Sequence, residues 1–110
     1  MITSTSNAQI KELAKLQKKS RLRDEKGIFL VEGPRMTEEI PAERIEKVYA
    51  SESFAKKNKE FLERLQAPVE LLTDTVFAYV SDTKTPQGIL AIVKRLDYTM
   101  KDLMQVKDQK

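Results

Sequence analysis

Six cations crowd the first 23 residues: Lys11, Lys15, Lys18, Lys19, Arg21 and Arg23. One acid, Glu12, shares the segment, giving it a formal charge of +5, so the other 87 residues sum to −2 within the chain's net +3. This chemistry suits a polyanion. Lysine ammonium groups neutralise phosphates, and a guanidinium can engage one phosphate through two N–H groups. The same pattern also suits a solvated helix face, the commoner use of surface charge. Both readings stand on these residues alone.

Two further segments carry groups that could meet a ligand. Glu32-Gly33-Pro34-Arg35 joins a strand end to a helix start. Amides there can meet an anion with help from Arg35. Alternatively, Gly33 turns the chain and Glu32 favours the helix dipole. The second segment is Thr83-Lys84-Thr85-Pro86-Gln87-Gly88, which runs into Ile89-Leu90-Ala91-Ile92-Val93. Pro86 presets a turn and Gly88 relaxes its exit. Thr85 and Gln87 offer a hydroxyl and an amide to bases, to 2′-hydroxyls or to a neighbouring domain. Asn7 is either a helix cap or a nucleic-acid contact, capping being the commoner role. Tyr49, Tyr79 and Tyr98 are dispersed and read as half-buried core residues rather than as a stacking platform.

Other chemistries find no support. The chain has no cysteine and no histidine. A disulfide or Cys-based metal site is therefore excluded, and the commonest neutral-pH acid/base is missing. No nucleophile–base pair and no metal constellation is visible, so no catalytic residue and no metal ligand are assigned. No run of about 18 apolar residues exists to span a membrane. Residues 1–7 lack a basic region followed by an apolar stretch, so a cytoplasmic protein is expected.

The elements that must position these groups follow from periodicity. At 110 residues the chain suits one domain. Ser6 followed by Gln9 reads as a capping box, opening a helix over 7–19. Ile10, Leu13, Ala14 and Leu16 share one side of that helix, and Lys11, Lys15, Lys18 and Lys19 the other. Apolar runs predict strands at 28–31, 45–50, 69–72 and 89–94. Pro34 suits a first helical position, and Pro41 ends that short helix. A single helix is expected over 52–65, and Thr73 is expected to cap another carrying Val76, Phe77 and Val80. This alternation predicts an α/β fold with a largely parallel sheet and helices on both faces. Leu96, Met100, Leu103 and Met104 recur at helical spacing in the tail, where such stripes usually form core or docking contacts.

Three blocks, in order, carry a family resemblance. They are Ser6-Asn7-Ala8-Gln9-Ile10-Lys11 with the basic run that follows, Gly27-Ile28-Phe29-Leu30-Val31-Glu32-Gly33, and the 83–88 loop with its strand. Together the blocks resemble the N-terminal substrate-binding domain of the SpoU (TrmH-type, SPOUT superfamily) RNA 2′-O-ribose methyltransferases. The resemblance covers roughly 4–95. It implies a three-layer α/β/α sandwich with a small, mostly parallel or mixed four-stranded sheet, like that of ribosomal and kink-turn-binding proteins. It further implies an RNA-binding domain over 1–95, with 96–110 a linker or the start of an interdomain helix. RNA, ribosomal or transfer, is the implied partner. Asn7, Lys11, Lys15, Lys18, Lys19, Arg21, Arg23, Arg35, Thr85 and Gln87 are the implied contacts. S-adenosylmethionine would belong to a catalytic SPOUT domain of the same polypeptide, absent from this chain, so the chain alone is expected to bind RNA without methylating it. The short acidic segment between Gly33 and Ile45 departs from the family, where many relatives carry a longer Ala/Leu-rich helix. The alternatives are a stand-alone RNA-binding protein of the ribosomal or kink-turn class, and an interaction domain whose Met-rich tail docks a protein.

Overall fold

The computed structural model describes residues 1–95. The tail stripe of Leu96, Met100, Leu103 and Met104 lies outside the described residues, as does Tyr98. The chain runs through α1 (Ala8–Lys18), α2 (Ser20–Lys26), β1 (Ile28–Glu32) and α3 (Pro34–Glu38). A 3-10 turn (Ala42–Arg44) precedes β2 (Ile45–Ser51), α4 (Glu52–Lys57) and α5 (Lys59–Arg64). Then come β3 (Val69–Leu72), α6 (Asp74–Val80) and β4 (Ile89–Lys94).

The four strands form one mixed sheet in the order β1-β4-β2-β3. β4 is central, which explains its unbroken apolar run. Ile89, Ala91 and Val93 pack on one face, while Leu90 and Ile92 pack on the other. Ile89, Leu90 and Val93 have no solvent exposure, and each stabilises the fold by roughly 1.5–3 kcal/mol of burial. One face carries α1 and α6 through Ile10, Leu13, Val76 and Phe77. The other carries α4 and α5 through Phe54, Phe61 and Leu62. The three-layer α/β/α sandwich is therefore as expected.

The balance of strand directions leans further from parallel than the alternation suggested. β2 and β3 form the parallel pair; β4 runs antiparallel to both β1 and β2, so it is the one strand reversed against the other three. After α6 the 81–88 loop brings the chain back into the sheet beside the ends of β1 and β2. β4 therefore starts at the edge where β1 and β2 end, with Leu90 opposite Glu32 and Ile89 opposite Ala50. That edge is where the 81–88 loop must sit.

Local departures have local causes. The expected 52–65 helix is broken at Asn58, which caps both pieces and whose side-chain amide donates to the Phe54 carbonyl at 3.1 Å. Asparagine side chains compete with helical backbone bonds in this way. α2 was not expected. It buries no residue, so it leaves no apolar period to read. The extreme N-terminus adds a short parallel bridge to β3, with the Ile2 amide donating to Leu71 at 2.8 Å. Asp74, at the start of α6, accepts from both the amide and the hydroxyl of Ser53, tying α6 to α4. These hydrogen bonds hold its carboxyl below the usual range. Pro34 and Thr73 take their expected positions at helix starts.

Candidate nucleic-acid interface

Helix α1 is seated by its apolar side. Ile10, Leu13, Ala14 and Leu16 are buried, while Lys11, Lys15 and Lys18 are exposed. These lysines recur at i, i+4 and i+7, which places them in one stripe along the helix. The helix begins one residue later than the capping box predicts. Asn7, not Ser6, is the cap, its side-chain oxygen accepting from the Gln9 amide at 2.8 Å. Ser6 pairs instead with the Ser4 hydroxyl at 2.7 Å. Gln9 does not reach back. Its side-chain carbonyl accepts from Lys47 at 2.8 Å and from the Tyr49 hydroxyl at 3.2 Å, pinning α1 to β2. Tyr49 is buried, and that burial, with the nearby Glu70 charge, raises its pKa.

The remaining cations of the first segment divide. Lys19 is the junction residue, ending α1 and starting α2. Lys19 and Arg21 are exposed. Arg23 turns back, its guanidinium donating to the carbonyls of Leu16 and Gln17, the latter at 3.0 Å. A cation there complements the negative end of α1.

The 81–88 loop is built on a group that the sequence reading had assigned only to a helix dipole. The Glu32 carboxylate accepts from the Ser81 hydroxyl at 2.7 Å and from the Gln87 amide at 3.0 Å. Longer contacts reach it from the Asp82 amide and the Thr83 hydroxyl, both at 3.4 Å. One carboxylate thus closes the whole loop. Gly33 lies beneath Gln87, and its amide donates to Ile89 at 2.9 Å. Thr85, Gln87 and Arg35 are exposed around this anchor. Charge-assisted bonds of this kind are the stronger class. Glu32→Ala is expected to raise hydrogen exchange at the Gln87 amide by roughly tenfold or more while the β4 amides stay protected. Exchange mass spectrometry reads this directly, and unchanged loop protection would contradict the anchoring role.

α1 and the end of α6 are joined just before the loop. The Gln17 side chain donates to the Val80 carbonyl at 2.9 Å. A groove of about 320 Å³ runs between α1 and the end of α6, lined by Ala14, Gln17, Lys18, Tyr79, Ser81 and Asp82 among others. Ser81 therefore belongs both to the groove and to the Glu32 network. The groove thus links Lys18, at the end of the lysine stripe, to the start of the loop, while α3, which carries Arg35, reaches α5 through Glu38 and Arg64 at 3.9 Å. Tyr79 is not a half-buried core residue: it is 54% exposed. The helical wheel carried that signal, because Val76, Phe77 and Val80 define the buried arc of α6 and Tyr79 falls beside it. Among the described residues no helix is long and apolar enough to cross a membrane.

Residues 7–91 match the family described as the MRM3-like substrate binding domain. The chain belongs to that family. Its MRM3-like domain has solved structural relatives. A crystal structure of an RNA 2′-O ribose methyltransferase shares 31% identity with a TM-score of 0.69, covering 84% of this chain and 36% of that one. An rRNA methyltransferase from Sinorhizobium meliloti is 18% identical with a TM-score of 0.65, over 86% and 36% of the two chains. The SpoU methyltransferase AviRb from Streptomyces viridochromogenes, solved in complex with AdoMet, is 18% identical with a TM-score of 0.64, over 83% and 38%. Among curated proteins no relative matches. The MRM3-like domain thus spans little more than a third of the length of these solved chains. The resemblance to a SpoU-type substrate-binding domain, read from three sequence blocks, is borne out.

Proposed function

We propose that this domain binds and orients RNA, ribosomal or transfer, for a SpoU-class enzyme that methylates a ribose 2′-hydroxyl in the cytoplasm. The supporting observation is the single face that unites the lysine stripe of α1 with the Glu32-anchored loop. Lys11, Lys15, Lys18, Lys19 and Arg21 contact phosphates, which position without reading sequence. Thr85 and Gln87 present a hydroxyl and an amide to riboses or bases, and Arg35 flanks them. Asn7 and Arg23 serve by holding the two ends of α1. The catalytic SPOUT domain lies elsewhere in the same polypeptide, reached through 96–110, and S-adenosylmethionine there supplies the methyl group. Residues of the present domain deliver one ribose to that site, a contribution of proximity and orientation.

The reading is tested by fluorescence anisotropy with structured ribosomal and transfer RNA fragments over a salt series. Five phosphate contacts give a log–log slope of affinity against salt of roughly −3.5, at about −0.7 per contact on single strands. Absence of RNA binding at low salt would overturn the proposal.

A further inference from the structure

The groove between α1 and α6 has features that the phosphate contacts do not use. Tyr79 stands at its mouth with more than half its surface exposed. Lys18, the last member of the lysine stripe, and the exposed acid Asp82 line the groove with it. Gln17 lines it too, its amide spent on the Val80 carbonyl.

We propose that this groove holds one unpaired nucleobase, stacked on the Tyr79 ring, with its backbone phosphate on Lys18. The inference rests on the RNA reading above and narrows it to a single-stranded or looped-out segment. Three physical points support it. An exposed aromatic beside cations is the platform single strands require, because every base has a π-face. A duplex hides its base faces, so Tyr79 gains nothing from one. The Asp82 carboxylate repels a phosphate from the groove, so a base enters and the backbone stays outside with Lys15 and Lys18.

The test uses the described protein and its Tyr79→Ala, Tyr79→Phe and Lys18→Gln variants. Each is titrated with a short single-stranded RNA carrying one 2-aminopurine and with a blunt RNA duplex of equal length. Tyr79→Ala is expected to weaken single-strand binding about tenfold or more and to abolish the quenching of 2-aminopurine. Tyr79→Phe retains both, since the ring is kept. Duplex affinity is the same for Tyr79→Ala as for the unaltered protein. The salt slope on single strands is unchanged in Tyr79→Ala but shallower in Lys18→Gln, which separates stacking from charge. Equal single-strand binding by Tyr79→Ala and the unaltered protein, or unquenched 2-aminopurine in the unaltered complex, would overturn the base subsite while leaving the RNA reading intact. Failure of both RNAs to bind would overturn the RNA reading and the subsite with it.

Discussion

Gly88→Ala is expected to cost about 2–6 kcal/mol of stability, the sum of two penalties. Its φ of +86° lies where residues with a Cβ are strained, a cost of order 1–3 kcal/mol. The added Cβ would also lie 2.8 Å from the Phe54 Cβ and 3.1 Å from the Ser51 hydroxyl. Phe54 packs edge-on against Phe61 with ring centroids 5.9 Å apart, so the ring cannot retreat freely, and overpacking adds roughly 1–3 kcal/mol. Against a total stability of about 5–15 kcal/mol this is severe. Gly33→Ala provides the comparison. It too has positive φ, at +112°, but its Cβ would meet only Gln87 at 3.8 Å, an ordinary contact. Urea denaturation should therefore show a clearly larger loss at Gly88 than at Gly33. Equal losses would mean that the close approach to α4 contributes nothing.

The second large effect concerns affinity. Replacing Lys11, Lys15 and Lys18 together by glutamine removes three cations while keeping helix propensity and most of each stem. At about −0.7 per contact the log–log salt slope becomes shallower by roughly 2, which corresponds to about a hundredfold weaker RNA binding at 0.1 M salt. The control replaces Lys56, Lys57 and Lys59 by glutamine. These lysines belong to α4 and α5, on the opposite side of the sheet, and their loss removes the same charge. Comparable weakening in the control would show that net charge, not a face, governs binding.

Much of the fold was legible because its signals are local. The four strands lie where apolar runs predicted them, and β4 could be read as buried on both sides from 89–93 alone. The basic side of α1 was equally legible, since an i, i+4, i+7 stripe needs no tertiary knowledge. What escaped was non-local. Glu32 finds its partners 49 to 55 residues away, and no spacing rule connects a strand end to a distant loop. Gln9 was claimed for a cap because the rule is local, but β2 takes its side chain across 38 and 40 residues. The direction of β4 depended on where the 81–88 loop re-enters the sheet, which periodicity does not bound. α2 escaped for another reason: a seven-residue helix that buries no residue has no apolar period.

The claim that one face carries RNA is tested most directly by backbone amide shifts in a nuclear magnetic resonance titration with a structured RNA fragment. Perturbations are expected at 11–21, at 33–35 and through 79–88, with α4 and α5 silent. Perturbations centred on 52–64, with the α1 stripe and the loop unmoved, would contradict it.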